Sequence, residues 1–185
     1  MSCGAARRAR YRVRQFINAI RADVSPLSQA QTDEVRAILP EGAGRLFKAM
    51  PRQDQRHGLE VLHSLQATGD VPGALAQAAL LHDCAKHRGG IRLGHRVAVV
   101  LVKAFDPGRM ARWREMEAPA PNGWRYPFWA HIHHPEHSAQ LAAEAGCDPI
   151  AVTLIRRHGD QPVSGTLDPL TQRLLAKLQA ADDDN

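Results

Sequence analysis

Cysteine is scarce in this sequence. There are three among 185 residues, Cys3, Cys84 and Cys147, odd in number and with no CxxC pair, so the chain carries neither a disulfide framework nor a thiolate zinc signature. A reducing compartment, the cytoplasm, is the expected home. Long apolar runs are also missing: the longest candidate, residues 97–102, is followed at once by Lys103, far short of the roughly 20 residues of a membrane span. A soluble protein is expected. Two phosphate- and acyl-chemistry signatures, GxxxxGK[ST] and GxSxG, do not occur, which removes a P-loop and a nucleophile elbow from consideration. Acidic residues are absent before Asp23, where "ARRARYRVRQ" concentrates the positive charge of a chain of net charge +5.

The chain is long enough for a single domain with its own core, and 44% of its residues are hydrophobic. Apolar residues recur at helical spacing almost throughout, and alternating runs with tight hairpin dipeptides are lacking. The expected class is all-α, a compact helical bundle with an additional N-terminal helical segment. Residues 1–50 read as that extension, packed on a core formed by residues 51–185. In the first helix Val13, Phe16, Ile17, Ile20 and Val24 make the apolar stripe and the arginines a solvated face. A nucleic-acid contact lacks interleaved aromatics or a binding module, and the likeness to an organellar leader is countered by the smooth passage of the stripe into the next segment.

Further along, "SPLSQAQTDEVRAILP" predicts a helix capped by Ser25 with Pro26 at its first position. "GAGRLFKAM" predicts a short helix, and Pro51 opens a longer one that runs to a glycine stop. "VPGALAQAALLHDCAK" predicts a helix ended by Gly89 and Gly90, and "IRLGHRVAVVLVKAF" a buried one. Residues 106–123, rich in proline and glycine around a short charged helix, have the length of a lid or binding loop. "YPFWAHIHHPEHSAQLAAEAG", "DPIAVTLIRRHG" and "LDPLTQRLLAKLQAADDD" complete the helices.

Ten histidines are many for such a chain, and only their groupings carry chemistry. In "ALLHDCAKHRGG", His82 and Asp83 stand at the end of an apolar helix, where a buried carboxylate needs a strong partner such as a divalent cation. Lys86, one turn after His82, can hold a phosphate as a point charge. His57 lies on the inward face of the preceding long helix, His134 in the aromatic-led helix, and His158 at the end of "TLIRRH". Asp182 follows Leu174 and Leu178 on one face of the last helix. Polar residues at inward positions of different helices describe ligands converging on a metal. His133 and His137, an i, i+4 pair, share a geometry that can also bind metal. Glu60 and His63 form one Glu-x-x-His, but a di-iron bundle needs a second. Cys84 reads as a small core residue.

The order His57, His82–Asp83, His134, His158, Asp182 resembles the HD-domain metal-dependent phosphohydrolase superfamily, especially its six-ligand, two-metal members such as the HD-type symmetrical diadenosine tetraphosphate hydrolases. The resemblance spans about residues 52–184 and is strongest in "ALLHDCAK". "RHGLEVLHSL" is similar to the segment of the first histidine, placed on His57; "HPEHSAQLA" selects His134 over His131, His133 and His137. "IRRHGD" is similar to the segment of the last histidine, and "LLAKLQAADDDN" to the final helix, whose carboxylate falls on Asp182 or its neighbour Asp183.

The resemblance implies an HD phosphohydrolase domain over 51–185 that cleaves a phosphate ester or anhydride of a nucleotide-like small molecule. Its implied metal ligands are His57, His82, Asp83, His134, His158 and Asp182, with Asp83 bridging two ions and Lys86 assisting catalysis. Imidazoles and carboxylates without thiolate suit iron, manganese, nickel, cobalt, zinc or magnesium. Lys86 and Arg88, with Arg92 and Arg96 beyond them, are the nearest cations for substrate phosphate, and Trp124 in "GWRYPFW" a residue on which a base can stack. The competing functions are a nucleotide-sensing HD protein without catalysis and, last, a nucleic-acid binder acting through the basic first helix.

Overall fold

The computed structural model describes residues 26–89, 112–113, 115–120, 123–159 and 167–185. Among them all regular structure is helical: α1 (Gln29–Ile38), α2 (Glu41–Ala49), α3 (Arg52–Ala67), α4 (Gly73–Leu81), a 3₁₀ turn (Lys86–Gly89), α5 (Tyr126–Glu144), α6 (Pro149–Arg157) and α7 (Pro169–Asp184). The basic first helix, the "IRLGHRVAVVLVKAF" helix and most of the proposed 106–123 loop lie outside the described residues, as do Arg92, Arg96 and the side chain of Arg88.

Helix α1 starts three residues later than its sequence suggests. Ser28, not Ser25, is the cap: its Oγ accepts from the Gln31 amide, and Gln31 Oε1 accepts from the Ser28 amide. Two otherwise orphaned N–H groups are satisfied reciprocally by this box, which Pro26 in front of the helix does not offer. Asp148 and Asp168 cap α6 and α7, each directly before a proline that needs no amide partner.

Helix α4 is apolar but for Gln77, with Leu75, Ala76, Ala78, Ala79, Leu80 and Leu81 all buried, as suits a helix at the centre of a domain. It packs against α1, α3, α6 and α7, while α5 lies against α2, α6 and the 3₁₀ turn. Val35, Leu39, Phe47 and Met50 from the first two helices share one core with Leu62, Leu80, Ile155 and Leu175. Helices α3 and α4 approach closely. A Cβ on Gly58 would stand 3.0 Å from the carbonyl oxygen of Leu80 and 3.3 Å from that of Ala79, so only glycine lets the two backbones come this near.

The helix expected to run through "HDCAK" ends at Leu81. His82 is its C-cap, and residues 82–85 turn with three-residue bonds from the Cys84 amide to the Leu81 carbonyl and from the Lys86 amide to the Asp83 carbonyl. Side chains compete for the backbone here: His82 Nδ1 donates to the Ala79 carbonyl, and the Ala85 amide donates to Ser138 Oγ. These bonds stand in place of helical ones and turn the His82–Asp83 pair toward α5.

Candidate metal centre

Three helix ends and two helix interiors meet around Asp83. His57 comes from α3, His82 and Asp83 from the end of α4, His134 from the middle of α5, His158 from the cap of α6 and Asp182 from the last turn of α7. Two groups of metal-ligating atoms form there, His57–His82–Asp83 and Asp83–His134–His158. Asp83 belongs to both.

In the first group His57 Nε2 and His82 Nε2 are 3.3 Å apart. Asp182 Oδ1 closes it at 2.9 Å from His57 Nε2 and 3.4 Å from His82 Nε2, and Asp83 Oδ2 is 3.8 Å from His82 Nε2. In the second, Asp83 Oδ1 lies 2.9 Å from His134 Nε2 and 3.9 Å from His158 Nε2. The two carboxylate oxygens therefore face opposite groups. Lys86 Nζ lies 2.5 Å from Asp83 Oδ2, and Asp183, unlike Asp182, is exposed.

Every deeply set histidine presents the same nitrogen. His82 Nδ1 donates to the Ala79 carbonyl at 3.0 Å, His134 Nδ1 to the His131 carbonyl at 2.5 Å, and His158 Nδ1 to the Ile155 carbonyl at 2.7 Å. A carbonyl can only accept, so each Nδ1 carries the hydrogen and each Nε2 is turned to the centre, the arrangement that fixes ring and tautomer in metal sites. The local sequence explains where these acceptors come from. Ala79 and Ile155 lie in the last four residues of α4 and α6, whose carbonyls have no helical partner. The His131 carbonyl would receive the amide of residue 135 in an uninterrupted helix, but residue 135 is proline and has no amide to give.

The donor set fits a divalent cation. His134 Nε2 and Asp83 Oδ1 are buried and 2.9 Å apart, yet they are not aligned as a hydrogen bond, and among the described residues neither atom has another hydrogen-bond partner. Leaving such atoms unsatisfied costs about 1–3 kcal/mol each. Burial and the nearby charges of His82 and His134 push His158 down to about 3, so its Nε2 is a neutral donor at physiological pH. For His82 burial acts downward, but Asp83 and Asp182 outweigh it and raise the group to about 9. Burial pushes Asp83 up, and Lys86 and His82 overcome this to hold it well below the usual carboxylate range. Asp182 is likewise lowered: burial opposes ionisation, while His82 and a bond from His57 favour it. Without metal, His82 and Lys86 supply the positive charge that the two carboxylates require.

Some residues named from sequence fall elsewhere. Trp124 is 72% exposed, at the turn before α5. His63 pairs with Glu34 on the surface and Glu60 is exposed, so Glu-x-x-His has no part in this cluster. His133 bonds the Trp113 backbone, and Trp129 stacks on it with ring centroids 4.6 Å apart. Cys84 is fully buried.

Three positioning residues escaped the sequence reading. Gly58 allows His57 to reach His82, Pro135 frees the carbonyl that holds His134, and Ser138 ties the turn after Asp83 to α5. Of these only Pro135 leaves a signal, as a proline inside an otherwise helical run beside a histidine.

The chain is thus a helical protein with a buried histidine–aspartate cluster that could hold a metal, compatible with an HD-type site. Among the described residues no helix is long and apolar enough to cross a membrane. No protein-family model, curated protein or solved structure matches the chain.

Proposed function

We propose that this protein is a metal-dependent phosphohydrolase of HD type, acting on a phosphate ester or anhydride of a nucleotide-like small molecule through two divalent ions. The observation that carries the proposal is the position of Asp83, whose Oδ1 faces His134 and His158 and whose Oδ2 faces His82. A single ion on one group would leave the ligating atoms of the other facing one another with no ion between them.

In this reading His57, His82 and Asp182 would hold one ion and His134 and His158 the other, with Asp83 common to both groups. Bound divalent metal supplies an acidified water as nucleophile and polarises a phosphoryl oxygen. The chain's own residues set the conditions for that chemistry. His82, His134 and His158 offer Nε2 with the tautomer fixed by backbone carbonyls, and burial of His82 and Asp83 excludes competing solvent. Lys86, with its ammonium on Asp83 and its side chain 20% exposed, is placed between the cluster and solvent, where it takes up the charge of an entering phosphate. Iron and manganese head the candidate ions, with nickel, cobalt, zinc and magnesium also compatible with nitrogen and oxygen donors.

The test is elemental analysis of the purified chain and of Asp83→Ala, followed by assay of aryl phosphates and nucleotides with each metal. The proposal expects about two ions per chain, as a two-metal mechanism requires, and a variant that loses metal and turnover together while keeping its helical content. Turnover retained in Asp83→Ala, or no metal uptake by the unsubstituted chain, would refute it.

A further inference from the structure

A cleft of about 420 Å³ lies beside the first turn of α5, lined by Arg112, Trp113, Met116, Trp124, Arg125 and Phe128. Its walls are flat rings. Trp113 and Phe128 meet at 5.2 Å with a tilt of 43°, and Trp124 stands nearly perpendicular to Phe128 at 6.4 Å. The Arg125 guanidinium lies 5.0 Å from the Trp124 ring centroid, yet the indole remains 72% exposed. With the half-buried Trp113 and Phe128 it makes a contiguous aromatic surface, the kind that marks a binding groove where a lone exposed ring does not.

The loop side of the cleft is tied to the helix that carries His134. Trp129 Nε1 donates to the Met116 carbonyl at 3.1 Å, and the His133 ring bonds the Trp113 backbone. Phe128 precedes His134 by six residues on the same helix, about 9 Å along its axis. The polar character of the lining is one-sided. Guanidinium groups and indole N–H only donate, and among the described residues none of the lining side chains is a carboxylate, amide or hydroxyl. The nearby Met116 and Ala120 carbonyls already accept from Trp129 and from the Gly123 amide.

We infer that this cleft binds the ring of the substrate and selects a 6-oxopurine over adenine. Aromatic walls accept any base by stacking. The edge decides the rest: guanine and hypoxanthine present O6 and N7, both acceptors, to an arginine fork, whereas adenine places its amino group, a donor, where O6 would be. The inference depends on the phosphohydrolase reading only for the statement that the ring belongs to the substrate.

The experiment is a titration of the full chain, stripped of metal with a chelator, with 5′-GMP, 5′-IMP and 5′-AMP, followed by tryptophan fluorescence. All three tryptophans of the chain are Trp113, Trp124 and Trp129, so the signal reports on this region. GMP and IMP are expected to bind about tenfold more tightly than AMP, the discrimination of one bidentate pair. Trp124→Ala, at an exposed position that leaves the fold intact, should weaken all three about tenfold, the loss of one stacking contact. Arg125→Gln should abolish the preference for GMP while AMP binding persists. Equal affinity for GMP and AMP, or an unchanged GMP affinity in Trp124→Ala, overturns the inference. Preferential GMP binding with no phosphate released under any metal would sustain it and defeat the hydrolase. Hydrolysis of aryl phosphate without purine discrimination would do the reverse.

Discussion

His134 occupies the hydrogen-bonding place that Pro135 leaves open. The His131 carbonyl, which has no amide to receive from residue 135, takes His134 Nδ1 at 2.5 Å, and the ring is thereby aimed at Asp83. Replacing the proline should separate stability from metal binding. Pro135→Ala restores a helical bond and removes a residue unfavourable in helix interiors by about 3 kcal/mol, so thermal stability is expected to hold or rise. The restored amide competes for the His131 carbonyl, and metal affinity is expected to fall about 10–100-fold, the usual effect of losing a ligand's outer partner. Parallel melting curves and metal titrations check both halves; a tighter metal site would disprove the link.

Gly58 and Gly44 make a controlled pair. A Cβ at position 58 meets backbone atoms of Leu80 at 3.0 and 3.2 Å, whereas one at position 44 meets nothing within 4 Å. Backbone cannot swing aside, so Gly58→Ala must move α3 from α4 and with it His57 from His82. A cost of about 1–3 kcal/mol is expected for this overpacking, with loss of one metal equivalent from the His57 side. Gly44→Ala, in the interior of α2, should instead stabilise by about 1 kcal/mol and leave metal content unchanged. Chemical denaturation and elemental analysis of the two variants give the comparison.

How much of this was legible in advance depends on the range over which each signal acts. Helix existence was readable because apolar spacing in "ALAQAALL" or "TLIRRH" is local, and the all-α class follows from it. Boundaries at "HDCAK" were not, because the helix stops where His82 and Ser138, the latter more than fifty residues away, take backbone groups that would otherwise continue it. Ser28 was a nearer miss: Ser25–Pro26 and Ser28-x-x-Gln31 are both start signals, and the reciprocal side-chain bonds of the second prevail. The meeting of His57, His82, Asp83, His134, His158 and Asp182 is a property of helix packing. Periodicity puts each on an inward face, but only their order along the chain suggested a common centre. Gly58 is silent in sequence, since nothing within α3 reveals how near α4 will come.

Lys86 occupies an Asp83 oxygen that a metal would need. Its ammonium sits 2.5 Å from Oδ2, with Asp83 itself buried. Removing one partner of a buried pair costs about 3–5 kcal/mol because the other is left uncompensated. Lys86→Met should lose stability of that order in the metal-free chain, and manganese should restore more of it than in the unsubstituted protein, as mass action on the native state requires. Phosphate-ester turnover should fall with metal content undiminished. Denaturation with and without metal separates this from a simple loss of ligand, which would reduce uptake.

Metal uptake should release a proton, and His82 is its source. With its pKa raised to about 9 by Asp83 and Asp182 against the effect of burial, the metal-free chain carries His82 as an imidazolium at a pH of about 7.5, about one and a half units below that value. Coordination requires the neutral ring. His158, lowered to about 3, has no proton to give. The sign for stability comes from linkage. A raised folded pKa means that the His82 contribution to the metal-free fold is complete below the ordinary histidine value of about 6.5 and is lost as pH climbs through about 9. Metal affinity moves the other way, rising from about pH 7 to about pH 9 as the competing proton leaves. Calorimetric titration with manganese at about pH 7.5, repeated in buffers of different ionisation heat, should give about one proton released per chain. Zero release would mean that the metal bypasses His82, and affinity falling as the solution is made more alkaline would reverse the charge assignment at the centre.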